Sequence, residues 1–133
     1  MKKKPALALP IPDLTMRRVE HFDEYGETDD VRPITSYIEE ASVLTSAVST
    51  TEGIHLDLHK PVLDIDFPVV ALPSSTPGHS HLYIDKAMPW DDYEKLLVVL
   101  VEIGLLEEGY LGASRMRHYT AVRAPWVKKE IDE

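Results

Sequence analysis

Four residues, Thr76-Pro77-Gly78-His79, restrict the fold of this chain more than any other stretch. Proline presets φ at the second position of a type II turn, and glycine accepts the positive φ required at the third. The flanking residues alternate as strands do. Leu63, Ile65 and Phe67 fall on one face with Asp64 and Asp66 on the other, and after the turn His79, His81, Tyr83 and Asp85 oppose Leu82 and Ile84. The pattern predicts a hairpin over residues 63–85, apolar towards a core and carrying two carboxylates and two imidazoles on its outer face.

Upstream, residues 1–33 are rich in proline and acidic side chains and show no sustained period, which reads as an extended or disordered arm. Its Leu7, Leu9, Ile11 and Leu14 are available to lie on a partner. Ser36 and Glu39 have capping-box spacing, and Tyr37, Ala41, Leu44 and Val48 follow at helical intervals, predicting a short helix ended by Gly53. Ile54, Leu56 and Leu58 then alternate with His55, Asp57 and His59, a strand. Pro61 separates that strand from the hairpin, and Pro68, with no amide proton to donate, marks a bulge or an edge position.

After the hairpin, Pro89 suits a first helical position, and Asp91 and Asp92 lie near the positive end of the dipole. A stripe of Trp90, Tyr93, Leu97 and Leu100 and a terminating Gly104 complete a helix over residues 89–103. Residues 104–114, punctuated by three glycines, read as a connection, and residues 118–126, with aromatic and β-branched side chains, as a last strand. The expected fold is α+β: a small antiparallel sheet of about four strands with one main helix on one face. Residues 34–129 would form it as a single domain, with residues 130–133 a frayed tail.

Composition narrows the function. A chain of 133 residues with 44% hydrophobic content is enough for one core, and its formal charge of −9 argues against a general nucleic-acid coat. A local basic site remains open, because Arg115, Arg117, Arg123, Lys128 and Lys129 cluster late in the chain with no acid among them. With no cysteine there is neither a disulfide nor a thiolate metal site, which fits a cytoplasmic protein in a host cell. The opening MKKKPALALPIP imitates a signal peptide, but Pro5, Pro10 and Pro12 interrupt an apolar run that is too short, and no stretch is long enough to span a membrane.

Two groups of residues carry chemistry. His55, Asp57, His59, Asp64, Asp66, His79 and His81 all occupy the polar phase of predicted strands, a donor set suited to a hard or borderline cation. The same pattern equally describes the solvated face of a one-sided sheet. The basic C-terminal run with Tyr119 and Trp126 matches phosphates through guanidinium forks and a base through aromatic faces, or else is a solvated strand end balancing an acidic protein. Ser74 and Ser75 have no nucleophile-elbow motif around them and read as turn residues.

Three of these segments resemble the archaeo-eukaryotic primase superfamily. Leu63-Asp64-Ile65-Asp66 is similar to that family's metal-holding strand, and residues 75–83, STPGHSHLY, to its Ser/Thr-Pro-Gly turn leading into a phosphate-contacting histidine. Arg123-Ala124-Pro125 with Lys128 and Lys129 resembles the Arg-x-Pro segment after the third motif. The resemblance implies a divalent ion, Mg²⁺ or Mn²⁺, at Asp64, Asp66 and His79, and nucleotide contacts from Thr76, His81, Arg123 and Lys128. Two departures stand out: the first two motifs are nearly adjacent here, and no third carboxylate lies between residues 109 and 123. Residues 54–129 also resemble small uncharacterised proteins encoded by phages of actinobacteria, which implies origin rather than activity. The expected function is therefore a small phage-type protein with a reduced primase-like sheet, binding a nucleotide or a nucleic-acid end with a metal. The alternative is a non-enzymatic interaction module for a host or phage protein.

Overall fold

The computed structural model describes residues 7–18, 34–49 and 55–128. The chain divides into two compact units, Met1–Asp64 and Ile65–Glu133. The fold is α+β, with a four-stranded antiparallel sheet in the first unit and a two-stranded sheet and two helices in the second.

In the first unit β1 (Leu14–Arg17), β2 (Ile34–Thr35), β3 (Val43–Ser49) and β4 (His55–His59) pair in the order β2-β1-β3-β4. Strand β1 lies inside the span read as an arm, and it holds the unit's most buried side chains, Leu14 and Thr15. Proline and acidic content concealed it, since four residues are too few for a visible period. The rest of that span, residues 1–6 and 19–33, lies outside the described residues, as do Gly53, Ile54, Lys129 and the tail 130–133.

Asp13 turns the chain into β1 with φ at 68°, and its carbonyl accepts the Ser49 amide at 2.9 Å. Lys60, just after β4, holds the same corner. Its backbone amide donates to the Ser46 carbonyl at 2.9 Å, while its ammonium donates to the Pro12 carbonyl at 2.7 Å and lies 3.6 Å from the Asp13 carboxylate.

The helix expected from Ser36 is instead a single 3₁₀ turn, Ile38–Glu40, followed by β3. Thr35 rather than Ser36 organises that turn: its hydroxyl accepts the Tyr37 amide at 3.1 Å and donates to Glu40 at 3.2 Å. Beyond it VLTSAVS is rich in β-branched and hydroxyl side chains, which lose rotamer freedom in a helix and fit a strand. Strand β4 forms where the sequence predicts it, paired to β3 with Ala47 opposite His59.

The second unit opens with β5 (Val69–Pro73) and β6 (Ser80–Ile84), joined by the predicted turn. Gly78 has φ at 79°, and the His79 amide donates to the Thr76 carbonyl at 3.0 Å. The returning strand is the expected one. Its partner is not residues 63–67, which are irregular, but the apolar run after Pro68. Prolines 61 and 68 explain the shift, because each removes an amide at one end of the intervening segment. The Pro68 carbonyl still closes the ladder by accepting the Asp85 amide at 2.9 Å.

Helix α1 (Trp90–Glu102) matches the predicted span within a residue at each end. It ends in a full Schellman motif: Gly104, with φ at 82°, donates to the Val101 carbonyl at 3.0 Å, and Leu105 donates to the Leu100 carbonyl at 2.9 Å. The segment read as a connection folds as α2 (Glu108–Arg117). Neither Gly109 nor Gly112 has a close neighbour that a Cβ would strike, so these glycines weaken the helix without being required by it. Residues 118–126 form no strand, because α2 ends on His118 in a left-handed conformation and Pro125 interrupts the segment after it.

The two helices pack on each other. Leu97 of α1 and Leu111 and Ser114 of α2 are buried, the Tyr93 and Thr120 hydroxyls bond at 2.7 Å, and Arg115 pairs with Glu94 at 3.2 Å. The Trp90 ring stacks on His118 at 5.4 Å between centroids. Leu63 and Leu82, expected beneath α1, are 73% and 62% exposed. Of the apolar stripe of α1, Leu97 is buried and Trp90, Tyr93 and Leu100 are half-buried.

This packing separates core from surface in a mutational test. Leu97→Ala is expected to cost about 2–5 kcal/mol, whereas Leu82→Ala stays within about 0.5 kcal/mol of the parent, both read from denaturant midpoints. Deleting residues 1–33 removes β1 from between β2 and β3, so amide protons of β3 should lose their exchange protection while those of α1 keep theirs.

Candidate functional site

The hairpin register decides what faces what. Val69 pairs with Ile84, Val70 with Tyr83, Ala71 with Leu82, Leu72 with His81 and Pro73 with Ser80. Alternation therefore sorts the hairpin into two faces. One carries Val69, Ala71, Leu82 and Ile84, and the other carries Val70, Leu72, His81 and Tyr83.

Against the His81 face lies the chain after α2. A β-turn closed by the Val127 amide on the Ala124 carbonyl at 3.0 Å carries Pro125 and Trp126 at its two central positions. Between the hairpin end and this turn is a pocket of about 390 Å³, lined by Leu72, Pro73, Ser74, Ser75, His81, Tyr83, Arg123, Ala124, Pro125, Val127 and Lys128. Its chemistry is mixed. The prolines, Leu72 and Val127 supply apolar walls, two side chains are permanently cationic, and Ser74, Ser75, His81 and Tyr83 supply polar hydrogen-bonding groups. Such a combination suits an anion attached to a partly apolar body.

Of the seven residues singled out in the sequence, three converge here: His81, Arg123 and Lys128. Thr76 does not line the pocket; it begins the turn, where its amide donates to the Ser74 hydroxyl at 3.0 Å. Asp64 and Asp66 are exposed in the irregular segment before β5, and His79 is exposed in the turn. Among the described residues no group of three or more His, Asp or Glu side chains is placed to hold a metal ion. The histidines of β4 belong to the four-stranded sheet, and those of the hairpin to the separate sheet of β5 and β6. On β4, His59 shares a hydrogen bond with Ser46 at 2.9 Å and lies 3.5 Å from Asp57, a surface arrangement.

Tyr83, Ser74 and Ser75 are pocket residues to which the sequence pattern gives no binding role. Tyr83 was within reach, since it shares the phase of His81. The serines were not, because nothing in a turn sequence tells which wall it will form.

The segment bearing Arg123 is tethered to the helices through the Tyr93–Thr120 hydrogen bond and the His118–Trp90 stack. Along the same segment, Arg117 lies over the Tyr119 ring at 5.3 Å, and Trp126 is 84% exposed. No helix among the described residues is long and apolar enough to cross a membrane. No protein-family model, curated protein or solved structure matches the chain.

Proposed function

We propose that this chain binds the phosphate of a nucleotide or of a nucleic-acid end in the pocket between the hairpin and the turn at residues 124–127. The observation that carries this reading is the convergence of His81, Arg123 and Lys128, from two distant parts of the sequence, on one concavity of about 390 Å³. Arginine offers a fork matched to phosphate oxygens and lysine a point charge, while the serine hydroxyls and the imidazole complete the donors. The two sequence segments that resemble the primase superfamily at residues 75–83 and 123–128 both contribute to this lining. The part of the reading that adds Mg²⁺ or Mn²⁺ at Asp64, Asp66 and His79 rests on the sequence, through its donor set and the resemblance.

Calorimetric titration of the full chain with a nucleoside monophosphate tests the proposal. Arg123→Ala with Lys128→Ala is expected to weaken binding at least about tenfold, because each charge-assisted contact contributes about 1.5–3 kcal/mol. The affinity should also fall as salt is raised. An unchanged affinity in the double variant, or no binding by the parent, would falsify the pocket reading. A requirement for Mg²⁺ that disappears in Asp64→Asn with Asp66→Asn would support the metal; binding that is indifferent to it would remove the metal from the account.

A second reading, an interaction module, is favoured by the opposite face of the hairpin. Val69, Ala71, Leu82 and Ile84 are all exposed there on adjacent strands, an apolar surface with no covering element among the described residues. A protein presenting its own apolar face is the partner this implies, and a second copy of the chain is the simplest. Sedimentation should then show association in the parent and a monomer in Leu82→Glu. A parent that stays monomeric at high concentration argues against a second copy.

A further inference from the structure

We infer that Trp126 is a stacking platform for a base with a free face, so that the ligand class of the pocket is a nucleotide unit rather than a bare phosphate or the interior of a duplex; the inference rests on the phosphate reading above. Trp126 occupies the third position of the turn closed by Val127 on Ala124, and both of its sequence neighbours, Pro125 and Val127, line the pocket. Its Cα therefore lies about 3.8 Å from the Cα of each of two lining residues. Its indole is not part of the pocket lining and is 84% exposed. An indole in that state offers a large flat apolar area, and a planar ligand group that covers it gains the burial of that area.

Charge chooses between the candidate partners. The residues flanking the turn, Arg123 and Lys128, are cationic and also line the pocket, so an incoming flat apolar group must arrive with negative charge attached. A nucleotide combines the two. Its phosphate meets the cations while its base covers the indole, and every base has a π face to offer. A base in the interior of a duplex is stacked on both faces and has none free, which makes the platform selective for single strands and free ends. The turn is well suited to the task, since Pro125 fixes φ at its second position and limits the freedom lost when a ligand seats.

Three probes isolate the stacking contribution in the full chain: ribose 5-phosphate, adenosine 5′-monophosphate, and a short 5′-phosphorylated single strand in competition with a covalently closed duplex that has no free end. The monophosphate is expected to bind about five- to a hundredfold more tightly than ribose 5-phosphate. Trp126→Ala should erase that difference without changing ribose 5-phosphate affinity, and Trp126→Phe should retain most of it while reducing the ligand-induced change in indole fluorescence. The single strand should outcompete the duplex.

Equal affinity for the two small ligands in the parent, or an unaltered preference in Trp126→Ala, overturns the stacking platform and leaves the phosphate pocket standing. Failure of every phosphate probe to bind overturns both. If Trp126→Ala instead changes only the sedimentation behaviour, the indole is a protein contact and the inference is wrong. Melting of each variant confirms that the fold is kept, as expected for so exposed a side chain.

Discussion

The positive φ of Gly78, 79°, is the constraint on which the arrangement of the second unit depends. A hairpin register is set by its turn, and a slip of one residue would exchange its two faces. With the turn closed between Thr76 and His79, Ser74 also donates its amide to the His79 carbonyl at 3.0 Å, so the pairing of Leu72 with His81 is set by the backbone. That pairing sends His81 and Tyr83 towards the C-terminal segment and Leu82 and Ile84 away from it. The pocket is thus a consequence of backbone geometry before it is a matter of side-chain chemistry.

The helical pair offers a different kind of support. Its packed centre is small: Leu97 and Leu111 with the fully buried Ser114, whose hydroxyl returns to the Tyr110 carbonyl at 2.7 Å and so leaves no unsatisfied polar group inside. Local devices at the ends of the two helices supply the rest. The Schellman cap of α1 and the left-handed His118 that ends α2 both satisfy carbonyls that would otherwise lack partners. His118 adopts a conformation uncommon for a residue with a side chain, and its stack on Trp90 helps to hold it there.

The parts of the fold that were legible in the sequence are those with a local cause. Pro77 and Gly78 dictate their turn, Gly104 dictates its cap, and the alternation of residues 55–59 and 80–84 is strong enough to be read directly. The parts that were not legible depend on partners far along the chain. Strand β1 is short and becomes a strand only because β2 and β3 lie beside it; β3 reads as a helix until its β-branched residues are weighed against that pairing. Helix α2 was concealed by Gly109 and Gly112, and with it the true neighbour of α1. For the site, the cationic residues could be named in advance because charge is visible in a sequence. The carboxylates could not be placed, since the spacing of Asp64 and Asp66 has meaning only within a strand, and prolines on either side prevent one.

The two walls of the pocket have unequal histories open to them. The hairpin wall is fixed by a turn and a ladder, so a change at His81 or Leu72 acts on strand pairing as well as on the shape of the pocket. The opposite wall, from Arg123 to Lys128, belongs to no helix or sheet and hangs from two anchors, Thr120 on Tyr93 and His118 on Trp90. Substitutions along it leave every regular element intact. Descendants of such a chain are free to reshape this concavity by drift along that short wall, with the remainder of the molecule under no pressure to change with it.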